Sequence, residues 1–172
     1  MPEQATRFLV DDTREVLQPR SPRDQYAMPI ALRGMCEETA YKKWLHRKAV
    51  AHVIRDRKRW PFTGSVADYK KAIHQAVLQA GKHDSYTGEE LDWRLISKYD
   101  NKKSKRGGTV YKKTFAKLPT VDHAGDAPGD LNLRICTWRT NDAKSDLTLS
   151  EFIELCERVI EHNRKGSANQ AL

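Results

Sequence analysis

Three stretches decide the predicted fold: residues 118–123 (LPTVDH), 131–137 (LNLRICT) and 138–144 (WRTNDAK). The first two are short and rich in apolar and β-branched residues, which is typical of strands. The residues between them, 124–130, are mostly turn formers such as Gly, Asp and Pro. The third stretch favours a short helix. The sequence therefore predicts a strand, a loop, a second strand and a helix that folds back against the two strands.

Three polar side chains of this unit suggest a chemistry. Asp122 and His123 end the first predicted strand, and a helix folded back on the strands brings Asn141 close to them. Consecutive strand residues point to opposite faces, so Asp122 and His123 are expected to have different neighbours. Carboxylate and amide oxygens suit a Mg²⁺ ion that also binds phosphate, and a neutral imidazole accepts a proton from water near neutral pH. The three residues therefore fit phosphodiester hydrolysis.

The same residues resemble a known motif. Asp122-His123, Asn132 and Asn141 with Lys144 follow the spacing D-H, eight residues, N, eight residues, N-x-x-K. This pattern resembles the HNH nucleases of the ββα-metal superfamily. The resemblance implies that His123 is the general base and that Asp122 and Asn141 bind one divalent metal. It also implies that Asn132 holds the loop between the strands and so orients His123.

The resemblance extends to an upstream segment and sets the expected domain organisation. Residues 86–91 (YTGEEL) are similar to a lead-in found in some HNH proteins. We expect an α+β protein with a ββα-metal core, an N-terminal basic helical hairpin and a C-terminal amphipathic helix. The expected regions are an irregular arm (1–35), a basic helical region (36–82), an HNH nuclease domain (83–163) and a frayed tail (164–172).

Apolar periodicity and capping residues predict the helices outside the ββα unit. A first helix at about 37–58 has apolar residues at every fourth position, and Pro61 ends it. A second helix at 65–80 begins at Ser65 and ends at Gly81, so the two helices should pack as a hairpin. A last helix begins at Thr148, whose capping box uses Glu151. Its predicted apolar face consists of Leu149, Phe152, Ile153, Cys156, Val159 and Ile160.

The charge of the chain points to a polyanionic partner. The 172 residues include 31 Lys plus Arg against 23 Asp plus Glu, a formal net charge of +8. Residues 41–60 and 98–117 hold eight of these cations each, and the second segment is predicted to be a mobile loop with its tip at Gly107-Gly108. The expected DNA contacts are Lys42, Lys43, Arg47, Lys48, Arg55, Lys102, Lys103, Lys105, Arg106 and Lys144. For Lys144, a structural ion pair on its short helix is an equal alternative.

Several classes of protein are excluded at this stage. No stretch has the roughly 18 apolar residues of a membrane helix, and the three scattered cysteines form no CxxC pair. We therefore expect neither a disulfide framework, nor a structural zinc site, nor a membrane partner. The expected location is the cytoplasm, and the expected source is a prokaryote or a phage.

The leading hypothesis is a DNA endonuclease that uses Mg²⁺ or a similar ion such as Mn²⁺. The alternative is a catalytically inactive HNH-fold protein that only binds nucleic acid, with RNA as the competing ligand to duplex DNA. One such site cuts one strand, so cutting both strands would need a homodimer or two successive nicks, and the sequence does not decide between them.

Overall fold

The computed structural model describes residues 25–61, 63–125 and 130–169. Most of the expected arm, residues 1–24, and the end of the expected tail, residues 170–172, lie outside this range. The described residues form five α-helices and one two-stranded antiparallel sheet, which confirms the α+β class. In chain order the elements are α1 (Glu38–Arg59), α2 (Val66–Ala80), α3 (Asn101–Thr114), β1 (Pro119–His123), β2 (Leu133–Thr137), α4 (Trp138–Lys144) and α5 (Leu149–Asn169).

The predicted helical hairpin is confirmed. Ser65 accepts a hydrogen bond from the Asp68 amide at 3.2 Å, and the Asp68 carboxylate accepts one from the Ser65 amide at 2.8 Å, so the capping box satisfies two amides at the start of α2. Gly81 ends the helix with a φ of 57°, a conformation that favours glycine. The buried faces of the two helices supply Tyr41, Trp44, Leu45, Ala49 and Val53 from α1 and Tyr69, Ile73, Ala76 and Val77 from α2.

The predicted strand–loop–strand–helix unit is present. β1 and β2 pair antiparallel, with Val121 opposite Ile135 and Asp122 opposite Arg134. Thr137 ends β2 and caps α4 by accepting a hydrogen bond from the Thr140 amide at 3.0 Å. α4 packs back on both strands, and α2 packs on β2. The helical hairpin and the sheet therefore share one hydrophobic core.

A buried carboxylate fixes the loop that precedes this unit. Asp84, which is only 2% exposed, accepts hydrogen bonds from the amides of Tyr86 at 2.8 Å and Thr87 at 3.1 Å. Its other oxygen accepts one from the Thr137 amide at 2.7 Å. The residues of the YTGEEL segment are thereby tied to the end of β2.

The prediction of a mobile loop over 98–117 is wrong, because most of that segment is helix α3. The Asp100 carboxylate accepts hydrogen bonds from the amides of Lys102 at 2.7 Å and Lys103 at 3.1 Å, which caps the helix. The Tyr111 hydroxyl accepts a hydrogen bond from the Asp100 amide at 3.0 Å and so ties the two ends together. The glycine pair still affects the helix, because Gly108 adopts a φ of 49° and kinks it.

Both described ends of the chain differ from expectation. Leu32, within the expected irregular arm, is fully buried in the core and belongs to a 3-10 turn, Ile30–Leu32. α5 continues to Asn169 instead of ending at Asn163. None of the described helices has the length and apolar character needed to cross a bilayer.

Replacing Asp84 by alanine should destabilise the fold strongly, because it leaves three backbone donors without their acceptor. We expect Asp84→Ala to lower the free energy of unfolding by roughly 3 kcal/mol. Asp92→Ala is the matched control, since Asp92 caps the more exposed 3-10 helix Trp93–Ser97 and should cost about 1 kcal/mol or less. Urea denaturation followed by circular dichroism measures both, and equal losses would contradict the assignment.

Candidate active site

Asp122 and His123 lie on opposite faces of β1, as the alternation of strand side chains predicts. Asp122 faces α4, where its Oδ2 lies 3.0 Å from the Lys144 ammonium. His123 faces α1, where its Nε2 lies 3.0 Å from Asp56 Oδ2. One strand thus carries two polar groups into two separate environments.

A buried carboxylate from α1 holds the His123 ring. Asp56 is 3% exposed, and its Oδ2 accepts a short hydrogen bond from the Tyr69 hydroxyl of α2 in addition to the contact with His123. Burial and this hydrogen bond raise the pKa of Tyr69, so its hydroxyl stays protonated and continues to donate. Tyr69 of α2 therefore fixes the position of the Asp56 carboxylate that contacts His123.

The other side of the His123 ring is contacted by Arg55. Nη2 of Arg55 lies 2.6 Å from Nδ1 of His123 and 2.6 Å from Nδ1 of His52. A guanidinium can only donate hydrogen bonds, so both Nδ1 atoms act as acceptors. The proton of neutral His123 then lies on Nε2, from which it is donated to Asp56. The hydrogen-bond pattern thus assigns the tautomer and leaves the basic lone pair on Nδ1.

The electrostatics of the cluster keep both histidines neutral. Burial and the Arg55 charge lower the pKa of His52 to about 2. Burial and the Arg55 charge also lower the pKa of His123, against the opposing effect of Asp56. Neutral imidazole is the form that accepts a proton, so His123 is in the protonation state that a general base requires.

On the opposite face of β1, Asp122 lies between a cation and a hydroxyl. Lys144 and the Tyr86 hydroxyl, the latter at 2.6 Å, both contact Oδ2. Asn141 precedes Lys144 by three positions on α4, so it lies within one turn of the residue that contacts Asp122. The structure brings Asp122 and Lys144 into direct contact, whereas the Asn141 side chain makes no hydrogen bond to Asp122.

The oxygen atoms offered by Asp122 and Asn141 are of the type that a hard divalent cation binds. Asp122 offers a carboxylate on which Oδ1 lies outside the contacts to Lys144 and Tyr86, and Asn141 offers an amide oxygen. Among the described residues no group of three or more His, Cys, Asp or Glu side chains is arranged around a common point. Mg²⁺ tolerates such a sparse set, because it usually keeps several waters and is bound through one or two carboxylates plus phosphate oxygens.

Asn132 closes the loop between the strands through its main chain. Its carbonyl accepts a hydrogen bond from the Ala124 amide at 2.8 Å, and its amide donates to Asp130 Oδ1 at 2.9 Å. The Asn132 side chain is exposed. Its role in orienting His123 therefore stays a prediction for the side chain, while its backbone does join the two ends of the loop.

The ten basic residues expected to contact DNA are placed very differently from one another. Lys144 is 4% exposed and paired with Asp122, so it does not lie on the surface. Lys48 donates to Thr120 Oγ1 at 2.7 Å, and burial lowers its pKa to about 8. Lys42 pairs with Glu38 at 2.6 Å. Arg55 contacts the two histidines, and the exposed cations are Lys43, Arg47, Lys102, Lys103, Lys105 and Arg106.

Part of this basic surface borders a groove. A groove with a volume of about 900 Å³ lies between residues 28–40, α1 and the 3-10 helix Trp93–Ser97. Lys43, Arg47, Arg94 and Lys98 line it together with Tyr99. Glu37 and Glu38 line the same groove, so its walls carry charges of both signs.

Four residues of the site are not among the expected site residues: His52, Asp56, Tyr69 and Tyr86. Two signals for them are present in the sequence. Asp56 is the only acid in the basic run 41–60, and His52, Arg55 and Asp56 share one helix face through their spacing of three and four residues. No comparable signal links α1 to β1, because that contact depends on tertiary packing.

Comparison with known proteins assigns no family. The sequence matches no protein-family model, no curated protein and no solved structure at significant similarity. The case for a function therefore depends on the geometry of the site and on the motif carried by β1, β2 and α4.

Stability should fall on mild acidification because of His52. Its folded pKa of about 2 lies far below its ordinary 6.5, so below pH 6.5 the unfolded chain binds a proton that the folded chain does not. The free energy of unfolding should therefore decrease by about 1.4 kcal/mol per pH unit between pH 6.5 and about 5 from this group. His52→Phe should flatten the profile by that amount, as measured by urea denaturation at each pH. Identical slopes for both proteins would contradict the prediction, and pH 8, where His52 is neutral in both states, provides the reference.

Proposed function

We propose that this protein is a metal-dependent HNH endonuclease that hydrolyses phosphodiester bonds of DNA. The observation that carries the proposal is His123, a neutral histidine whose Nε2–H is held by buried Asp56 and whose Nδ1 lone pair faces Arg55. The motif spacing from Asp122 to Lys144 supports the same class. The proposal includes an intracellular site of action in a prokaryote or phage.

His123 would take the proton of the attacking water. Water attacks the phosphorus, the bond from phosphorus to the 3′ oxygen breaks, and the water proton moves to Nδ1 of His123. The leaving oxygen takes a proton from solvent, which gives a 3′-hydroxyl and a 5′-phosphate. The imidazolium that forms is stabilised by the Asp56 carboxylate at Nε2, the same division of labour as in other carboxylate-oriented histidine bases.

Arg55 would bind the phosphate of the substrate, and in doing so it would break its contact with His123. Its side chain is 39% exposed, whereas the Asp56 side chain beside it is only 4% exposed. Nε of Arg55 is buried and has no hydrogen-bond partner among the described residues, although it lies 3.6 Å from Asp56 Oδ1. A substrate phosphate offers a guanidinium stronger, charged acceptors than two neutral imidazoles do. Movement of Arg55 to the phosphate frees Nδ1 of His123.

Asp122 and Asn141 would hold the divalent ion, Mg²⁺ or Mn²⁺, which supplies Lewis-acid activation of the phosphate and stabilises charge on the leaving oxygen. Tyr86 and Lys144 keep the Asp122 carboxylate in place from two sides. Burial and the hydrogen bond to Asp122 raise the pKa of Tyr86, so its phenol remains a donor.

The exposed cations would supply sequence-independent contacts to the DNA backbone. Two groups of cations are available for these contacts: Lys43 and Arg47 on α1, and the four cations in the first half of α3. Binding through such contacts weakens steeply as salt concentration rises.

Loss of His123 should abolish turnover and spare binding. We expect His123→Ala to reduce nicking of supercoiled plasmid in Mg²⁺ or Mn²⁺ by about 10²- to 10⁴-fold, the usual contribution of a general base. Gel-shift affinity for a short duplex should change little, and EDTA should stop nicking by the wild type. His46→Ala, on the exposed side of α1, is the matched control and should nick normally.

Removing the charge of Asp56 should slow the reaction without breaking the packing. Asp56→Asn keeps the size of the side chain but withdraws the carboxylate that stabilises the imidazolium, so we expect at least about tenfold slower nicking. The same variant should bind duplex DNA with unchanged affinity, since Asp56 is buried. Unchanged nicking in Asp56→Asn would remove this residue from the mechanism, whatever the result for His123.

A second candidate function has an observation of its own. Both ring nitrogens of His123 and Oδ2 of Asp122 are engaged by groups of the protein itself. A site closed in this way also suits a protein that binds nucleic acid without cutting it. DNA binding that persists with no metal-dependent nicking, in the wild type and in His123→Ala alike, would establish this alternative.

A further inference from the structure

α5 is a long helix with one apolar face. It comprises 21 residues and begins with a capping box, in which Thr148 accepts a hydrogen bond from the Glu151 amide at 3.2 Å and Glu151 accepts one from the Thr148 amide at 2.8 Å. Its apolar side chains recur three and four residues apart along the helix, which aligns them along one side: Leu149, Phe152, Ile153, Cys156, Val159 and Ile160. This spacing is that of helices that pair along their length.

The rest of the described protein does not cover this face. Every described residue from 153 to 165 is exposed. Ile153, Val159 and Ile160 are 47%, 53% and 48% exposed, although such residues are normally buried. A contiguous apolar strip on a helix with charged flanks is typical of an interface.

The order of the apolar residues indicates what covers this face. It is symmetric about Cys156, with Ile153 and Val159 three positions away on either side and Phe152 and Ile160 four positions away. Two copies of α5 laid antiparallel therefore bring apolar side chains opposite one another along the strip, and the helix dipoles also oppose each other favourably.

We propose that the apolar face of α5 is a self-association surface, on which α5 of a second copy of this chain packs antiparallel. A twofold axis near Cys156 places Phe152 opposite Ile160 and Ile153 opposite Val159, so apolar side chains meet along the centre of the contact. Such an interface is the same patch on both copies and closes as a dimer. The proposal stands independently of the proposed nuclease activity.

Analytical ultracentrifugation of the full chain tests the association. The wild type should sediment as a dimer at about 100 µM, and Ile160→Glu should weaken the dimer at least about tenfold, because it places a carboxylate in the apolar contact. Ser150→Glu adds the same carboxylate away from the apolar face and should leave the dimer intact. Equal circular dichroism spectra of the three proteins show that the fold is unchanged.

Cross-linking tests the antiparallel arrangement. In a chain carrying Cys36→Ser and Cys156→Ser, we introduce either Ile153→Cys or Val159→Cys and treat the proteins with a short bis-maleimide. A mixture of the two variants should give a covalent dimer in higher yield than either variant alone, because residue 153 of one copy faces residue 159 of the other.

Three results would overturn the proposal. The first is a wild-type chain that is monomeric at about 100 µM. The second is a dimer that Ile160→Glu leaves unchanged. The third is a dimer that appears only when residues 1–24 are removed, which would show that this segment covers α5. Preferential cross-linking of each single variant with itself would leave the dimer but reject the antiparallel order.

Discussion

The carboxylate of Asp56 connects three parts of the molecule. It belongs to α1, accepts a hydrogen bond from Tyr69 of α2, and contacts the His123 ring at the end of β1. A buried charge costs several kcal/mol unless it is hydrogen-bonded or paired. Here the two hydrogen-bonding partners and the neighbouring Arg55 guanidinium offset that cost. The same contacts that make the burial tolerable also fix the ring that the proposed chemistry needs.

Strand β1 separates two polar residues that stand side by side in the sequence. On one face, His123 is kept neutral and oriented by groups from the helical hairpin. On the other face, Asp122 is held by Lys144 of the ββα unit and by Tyr86 of the loop that precedes it. The proposed base and the proposed metal ligand therefore have different hydrogen-bonding partners although they are adjacent in sequence. They still act on each other, because the charge of Asp122 favours the protonated form of His123 and so opposes the lowering of its pKa.

Much of the fold follows from local signals in the sequence. The periodicity of α1, the capping box of α2 and the alternation in β1 predicted both helices and the opposite orientations of Asp122 and His123. The Gly107-Gly108 pair was misleading, because an N-terminal cap at Asp100 and a tyrosine anchor outweigh two flexible residues. The sequence left a phosphate contact and a structural ion pair equally open for Lys144, and only the return of α4 onto β1 selects the pair with Asp122.

The contact between Asp56 and His123 is not predictable from the sequence, and the reason is different. The pairing of Asp56 with His123 joins residues that are far apart in the chain, and nothing in either segment encodes the other. Long-range contacts of this kind arise from the way in which α1, α2 and the sheet share one core. A motif can therefore identify His123 and still leave out the residues that determine its tautomer.

The shared core also determines whether the ββα unit can be moved into another protein by itself. Cutting the chain at the boundary that the motif suggests, near residue 83, would keep Asp122, His123 and Asn141 on one fragment. That fragment would lose the carboxylate on Nε2 of His123, the guanidinium on Nδ1 and the helix that covers β2. The helical hairpin is therefore a structural half of the candidate site, and the motif on its own lacks the groups that hold His123.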